Sequence, residues 1–446
     1  MTLSGLASWA AALRLDDVAP DARAALEDVL ANLLAVTAGG HGTPAMRRLV
    51  DVWDPAPGPC TLVGVPAAGV SVEAAAWLNS AAAVRTELDD GNRFAAGHPA
   101  ALSLFGVLAQ AEATGASGSK LLEALVVAYE VSARIGRATT LAADVHTHGT
   151  LGAPGTAAGC AVLADAGADV VERAVRTALG GLVATSWTPV LAGSDVRDTW
   201  AGTGAVAGLA AARVARAGWA APGTGMPPAV GELDPEQLVP VGTDLLLAHG
   251  YLKQHAACAY THAPADAALA VRERLAAAGR DLDDVASITV ATAPAGVRLA
   301  ARRWSTPHGA HFSTPFAVAS ALVHGDVAPH RSDPLRAPAV SGVADRVELE
   351  TLEPGDPGAR PARVRLTLDD GTVLEAAVDH PAGDRDLTPF DAADRRRLLT
   401  QALAAGASRV TADDVTDVVR SLADAPRCDE PLARLRPRPT TRRNHP

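Results

Sequence analysis

Aromatic side chains are scarce in this 446-residue chain, with five Phe, three Tyr and seven Trp, so Ala, Val and Leu must fill the interior. A core of that kind favours close-packed helices. Cysteine is equally sparse. Cys60, Cys160, Cys258 and Cys428 lie far apart with no CxxC pair, which excludes a disulfide-rich module and argues against a cysteine-ligated iron–sulfur cluster. Excess positive charge is missing too. The 39 Lys and Arg against 50 Asp and Glu give a net charge of −11, which supplies no electrostatic reason to bind nucleic acid or an anionic membrane. The longest uncharged run, residues 177–194, carries Gly, Ser, Thr, Trp and Pro and is poor membrane material. The opening MTLSGLASWAAALRLDD reads as a short amphipathic helix, not as a signal peptide. Together these absences predict a soluble cytoplasmic protein in a reducing compartment, with neither nucleic acid nor membrane as partner.

What is present divides into two textures. Up to about residue 275 the chain is Ala-rich with helical periodicity. In DARAALEDVLANLLAVTAGG, Leu26, Val29, Leu30, Leu33 and Leu34 recur at steps of three and four, and Gly39 stands as a stop. Ser117 is a cap for the helix that Gly136 closes, and residues 157–166 and 205–215 place Gly or Ala at most contact positions. Near residue 281 the pattern changes. SITVAT, RVELET, VRLTL and TVLEAAV read as strands, with Asp370-Gly371 as a hairpin turn and HFSTPFAVASALVHG as a helix ending at Gly325. After Leu387 the chain turns helical again, with Thr411 or Asp413 as a cap, before a Pro/Arg-rich tail from Arg434 that is expected to fray. The expected fold is therefore mainly α with an α+β part. A helical domain spans residues 1–275 and 388–446, an α+β domain spans 276–387, and a ligand cleft lies between them.

Four stretches concentrate polar groups. ELDDGNRFAAGHP holds Glu87, Asp89, Asp90 and His98, and a solvated acidic loop is the plain alternative. HTHGTLGAPG holds His146, His148 and Thr150 in a loop that opens a helix, whose free N–H groups attract a carboxylate. KQHAACAYTH holds Lys253, His255, Cys258 and His262. Of the 39 basic residues only Lys120 and Lys253 are Lys, and a Lys beside His and Cys suits a proton carrier because Arg stays charged. In SDVRDTWAGTGAVAG, Arg197 precedes a glycine-studded helix. The GTGAVAG string lacks a preceding strand and a later acidic residue, so helix packing explains it better than a dinucleotide site. His146-x-His148 and Cys258-x3-His262 offer zinc-type ligands without the context that makes such sites specific.

Taken together, these stretches resemble the MmgE/PrpD family, which includes 2-methylcitrate dehydratases, cis-aconitate decarboxylase and iminodisuccinate epimerase. The likeness runs from about residue 5 to 405. It is carried by ELDDGNRFAAGHP, by the HxHGTxGxxG run from His146 to Gly155, by Lys253, Cys258 and His262 with Asp266-Ala267, and by FSTPFAVASALVHG and VRLTLDDG. The resemblance implies a large helical domain built from both chain ends, a smaller α+β lid, a homodimer and cofactor-free chemistry on small di- or tricarboxylates. Carried over by position, the site would include Asp90, His98, His146, Lys253, Cys258 and His262. Three positions depart from the family pattern: Glu87 replaces Asp, Gly91 replaces Thr, and Arg197 replaces Lys.

The expected activity is dehydration of a 2-methylcitrate-like hydroxy acid. His98 and His146 move protons, Asp90 orients a histidine, and Lys253 and Arg197 hold carboxylates. Glu87, His148, Cys258 and His262 line the site, and no metal is expected. Decarboxylation or epimerisation of a related acid would draw on the same residues. A catalytically inactive carboxylate-binding or scaffold protein is the alternative of a different class.

Overall fold

The computed structural model describes residues 2–66, 69–95, 97–219, 223, 225–238, 244–333, 338–355 and 359–437. Ten helices fill the first half of the described chain. They are α1 (Leu3–Ala12), α2 (Pro20–His41), α3 (Pro44–Trp53), α4 (Val72–Val84), α5 (Pro99–Thr114), α6 (Gly118–Arg137), α7 (Gly152–Leu163), α8 (Ala168–Gly180), α9 (Trp187–Leu191) and α10 (Val196–Arg216). Short strands lie between them: β1 (Pro57–Cys60), β2 (Gly91–Asn92), β3 (Thr139–Leu141), β4 (Gly231–Leu233) and β5 (Gly250–Tyr251). β2 pairs antiparallel with β5 and sets Gly91 opposite Tyr251.

Small residues let these helices approach closely. A Cβ on Gly152 would stand 2.2 Å from the Leu102 carbonyl oxygen, and one on Gly155 would stand 2.3 Å from that of Ala128, which locks α7 between α5 and α6. Gly39 was expected to end α2, yet the helix runs on to His41. Gly39 and Gly40 serve packing instead: added Cβ atoms would meet the Ala402 and Ala82 carbonyl oxygens at 1.9 and 2.0 Å. Ser117 caps α6 as expected, accepting the Lys120 N–H.

The second texture holds α11 (His262–Ala277), α12 (Pro294–Val297), α13 (Pro307–His311), α14 (Thr314–His324) and α15 (Pro338–Ala344). It also holds β6 (Val285–Thr292), β7 (Val347–Thr351), β8 (Ala362–Leu368) and β9 (Val373–Val378). They form one sheet in the order β7-β6-β8-β9, with β7 parallel to β6 and the other pairs antiparallel. β8 alternates cleanly, with Ala362, Val364, Leu366 and Leu368 buried, as a sheet with one covered face requires. Gly371 turns the β8–β9 hairpin at φ +84°, and Gly325 ends α14 in the left-handed region.

α11, placed by the sequence reading within the helical part that reaches residue 275, packs on α14, β8 and β9, and its Ala265, Ala267, Ala268, Val271 and Leu275 belong to the apolar core of the sheet. Its periodic small side chains match the sheet face, so the packing changes partner before residue 262.

The chain ends with α16 (Ala392–Ala404), α17 (Ala412–Leu422) and α18 (Asp429–Ala433). α16 and α17 pack on α2, and Leu398, Val415 and Leu422 join the core of the first helices. Thr411 caps α17 in a reciprocal pair with Asp414. The tail from Arg434, expected to fray, is tied down at its start. Leu435 is fully buried and Arg436 donates to the Thr61 hydroxyl at 2.8 and 3.0 Å. The rest of that tail, from 438, lies outside the described residues. Among the described residues no helix is long and apolar enough to cross a membrane.

Gly39→Ala should separate α2 from α16 and cost about 1–3 kcal/mol in urea unfolding, the usual range for overpacking. Gly180→Ala, at the last residue of α8 with nothing within 4 Å of the added methyl, should be neutral or slightly stabilising. Equal effects at the two positions would refute the packing role.

Candidate active site

Four loops meet where the helical core faces the sheet core. They are the segment between α4 and α5, the loop before α7, the start of α10 and the loop between β5 and α11. The β2–β5 ladder joins the first loop to the last, which places Glu87 and Asp89 against Lys253 although they are more than 160 residues apart.

The buried polar groups form a chain of alternating charge. The Arg197 guanidinium contacts Glu87 Oε1. Glu87 Oε2 accepts from Lys253 Nζ at 3.0 Å, and Lys253 Nζ also donates to Asp89 Oδ1 at 3.1 Å. Asp89 Oδ2 lies 2.9 Å from His98 Nδ1. Glu87 takes its place with φ +54°, a left-handed backbone that a non-glycine residue adopts at a cost. Burial alone would lower the Lys253 ammonium, but the Asp89 and Glu87 carboxylates outweigh it and hold its pKa above the ordinary value. Asp89 is shifted the opposite way. Burial would raise it, and Lys253 and His98 pull it below the usual carboxylate range.

Hydrogen bonds fix the histidine tautomers. His98 Nδ1 lies 2.6 Å from the Asp90 carbonyl oxygen, besides its contact with Asp89. Both neighbours are acceptors, so Nδ1 carries the proton and Nε2 keeps the lone pair. His146 is the reverse. The His148 backbone N–H donates to His146 Nδ1 at 3.1 Å, which leaves the ring proton on Nε2. Burial, reinforced by Arg197, pushes the pKa of His146 well below the ordinary histidine value, so this ring is neutral at pH 7. His148 accepts an Arg197 N–H on Nε2 at 3.1 Å and is likewise held neutral by burial.

These groups border a cavity of about 410 Å³. Glu87, His98, His146, Arg197 and Cys258, all anticipated from sequence, lie in its wall. Three others stand behind the wall: Lys253 on the two carboxylates, His148 on Arg197, and Asp90 on the start of α5. The Asp90 carboxylate accepts the Ala100 and Ala101 N–H groups at 3.2 and 3.1 Å, so Asp90 orients His98 through its backbone carbonyl and not its side chain. His262 does not join the cluster. It bonds the Ala257 carbonyl oxygen at 3.1 Å and borders a smaller pocket beside Tyr251 and Arg360. Burial pushes the Cys258 thiol up to about 11, so it stays protonated and is no nucleophile at neutral pH.

Sequence reasoning overlooked Asp89 as a working residue, although the DD pair was in view. Which of two adjacent carboxylates caps a helix and which meets a lysine depends on backbone direction. It also overlooked Trp187, Phe312 and Arg360, which reach the wall from segments without polar clustering. The expected assignment of Arg197 and Lys253 to substrate carboxylates changes in one respect: both already face carboxylates of the protein itself.

Ligand atoms of Asp89, His98 and His148 lie within 4.8 Å of one another and could in principle hold a metal ion. The donors fit it poorly. An Arg197 N–H occupies His148 Nε2 and Lys253 bonds Asp89, so a divalent ion would sit beside two fixed cations.

The chain matches the MmgE/PrpD N-terminal domain over residues 4–230 and the MmgE/PrpD C-terminal domain over residues 255–420. No curated protein matches the chain.

Lys253→Met should destabilise the fold by about 3–5 kcal/mol, because it strands two buried carboxylates. Adding Glu87→Gln and Asp89→Asn should recover most of that loss in urea unfolding, and no recovery would mean that packing, not charge, is what Lys253 supplies. Asp90 carries a pH signature. Burial, opposed by His98 and helped by Asp89, pushes its carboxyl up to about 6, against about 3.9 in an unfolded chain. Between those values the unfolded state sheds the proton and the folded state keeps it, so this group makes stability fall as pH rises from about 4 to about 6. The stability of Asp90→Asn relative to the parent should therefore climb over that window and level off above it. A pH-independent difference would contradict the raised value.

Proposed function

The chain belongs to the MmgE/PrpD family, which points to an enzyme of the lyase or dehydratase kind, and from that premise we propose that it dehydrates a small 2-methylcitrate-like hydroxy acid without a cofactor. The observation that carries this reading is the His98 ring. Its Nδ1 proton is held by the Asp90 carbonyl and Asp89, and its Nε2 lone pair, on a residue in the cavity wall, has no protein partner among the described residues.

His98 Nε2 takes the proton from a carbon next to a substrate carboxylate, and the Asp89 carboxylate stabilises the imidazolium that forms. The electron pair of the broken C–H bond moves into that carboxylate as an enolate. His146, neutral with its proton on Nε2, donates a hydrogen bond to the developing oxyanion, and Arg197 adds fixed positive charge from the same wall. The enolate then expels the hydroxyl from the neighbouring carbon, forming the C=C bond. The sequence reading had both His98 and His146 move protons, which would let the second histidine protonate this leaving group. A neutral His146 would have to become imidazolate to do so, and burial beside Arg197 removes the imidazolium that could act as the acid. The proton on the departing hydroxyl is therefore the one His98 has just taken, which makes the elimination syn and returns His98 to its starting state.

His98→Gln should lower kcat by about 10²–10⁴ with little change in melting temperature. His146→Gln keeps an N–H donor and should lose less than His146→Ala. Proton NMR in D2O, with citrate-like, aconitate-like and iminosuccinate-like acids, identifies the product and separates dehydration from decarboxylation and epimerisation. A His98→Gln enzyme with parental turnover, or anti elimination from a stereospecifically deuterated substrate, would overturn the assignment.

A further inference from the structure

Three arginines stand in the cavity wall, and two are already neutralised. Arg93 bonds Asp384 and Asp386, and Arg197 contacts Glu87. Arg360 is different. It reaches the wall from the segment just before β8 and makes no ion pair among the described residues. Its guanidinium lies over two aromatic faces instead, with Cζ 5.1 Å from the Tyr251 ring centre and 5.1 Å from that of Tyr260. It also donates to the Tyr251 side chain. Asp384, which shares the smaller neighbouring pocket with Arg360, is held by Arg93. A half-buried guanidinium with no counter-ion among the described residues has lost hydration and has not regained it from one of their anions, so it is poised to bind one.

The position of Gly91, where the resembled family carries Thr, belongs to the same arrangement. Gly91 pairs with Tyr251 across the β2–β5 ladder, and a Cβ on Gly91 would stand 2.2 Å from both Cζ and Oη of that ring. Only a glycine leaves room for Tyr251 to lie there, and Tyr251 is one of the two supports of Arg360. The missing Thr hydroxyl and the caged arginine are thus two sides of one packing solution.

We propose that Arg360, positioned by Tyr251 seated on Gly91, is the carboxylate receptor of this site: it clamps a carboxylate of the substrate in bidentate fashion across the cavity from His98. The inference rests on the reading of the cavity as a polycarboxylate site and names the cation that selects the substrate there. It makes Gly91 a positioning residue that acts through Tyr251.

The test uses tricarballylate, a tricarboxylate with no hydroxyl to lose, in calorimetric titration of the whole protein. The parent should bind it. Arg360→Gln should weaken binding by about 30-fold or more, the usual loss when one partner of a desolvated charge pair is truncated. Arg360→Lys should recover only part, since an ammonium cannot present the planar fork. Because Arg360 makes no ion pair among the described residues, the melting temperature of Arg360→Gln should be unchanged or raised, where a structural arginine would lower it. Gly91→Ala should raise KM for the turned-over acid several-fold while kcat holds within about twofold. Binding of tricarballylate to Arg360→Gln at parental affinity, or a Gly91→Ala loss confined to kcat, would overturn the receptor role and leave the His98 chemistry standing. A parent that binds no tricarboxylate, or a His98→Gln enzyme with full turnover, would instead remove the functional reading on which the receptor rests.

Discussion

Five side chains in alternating charge, Arg197, Glu87, Lys253, Asp89 and His98, hold three distant segments in one place. Two permanent cations and two carboxylates sum to zero, so the cluster can be buried without a net charge. Such a cluster is weak evidence for stability, because each ion surrenders its hydration and the mutual attraction only offsets that loss. Its effect is on geometry. Once Lys253 is committed to both Glu87 and Asp89, neither carboxylate can turn away without leaving a bare charge in a low-dielectric interior. Asp89 must then present its second oxygen to His98, and Glu87 its other oxygen to Arg197. The left-handed backbone at Glu87 fits this account: the strain at one residue is held by the ion pairs on both of its oxygens.

A cluster this specific needs a rigid frame, and the scarcity of large side chains provides it. Where Gly and Ala occupy the contact positions, backbone carbonyls of one helix fill the space where a Cβ of the next would lie, as at Gly152 and Gly155 of α7. The loop bearing His146 and His148 runs directly into α7, and Asp90 receives two N–H groups at the head of α5. Imidazole orientation is therefore set by helix ends that cannot shift, and not by mobile loops. Rigid placement matters most for the tautomers, because a rotation that broke the His98 Nδ1 contact would free that proton to move and remove the defined lone pair.

Much of this was legible in the sequence. The switch from helical to alternating periodicity near residue 281, the caps at Ser117 and Thr411 and the turn at Gly371 all follow from local chemistry, and the structure has them. His98, His146, His148, Glu87, Arg197, Lys253 and Cys258 stood out because polar groups cluster in otherwise bland stretches, and all meet at the cavity or directly behind it. What could not be read was direction. Asp89 and Asp90 are neighbours with opposite tasks, and only the path of the backbone decides which one meets Lys253. Gly39 carries every mark of a helix stop, yet a tertiary neighbour uses it as a contact. His262 sits in the right motif but faces the Ala257 carbonyl oxygen. Arg360 lies in no motif at all, since its significance is that no described carboxylate pairs with it, which is a property of three-dimensional surroundings.

The charge count around the cavity bears on how substrate recognition and proton transfer divide between the two cores. On the helical side the wall contributes the proposed base, the neutral donor His146 and a guanidinium already matched by Glu87, so an arriving polyanion meets little uncompensated positive charge there. That is favourable for the base. Asp89, 2.9 Å from His98 Nδ1, stands ready to balance the positive charge that the proposed proton transfer places on that ring. The attraction for the substrate then has to come from elsewhere, and the sheet side supplies it in Arg360, reached through Tyr251 and Tyr260. The proposed arrangement thus separates the cation that binds from the imidazole that moves the proton. A cavity bordered by both cores is the physical consequence: neither the helical part nor the sheet part carries both functions alone.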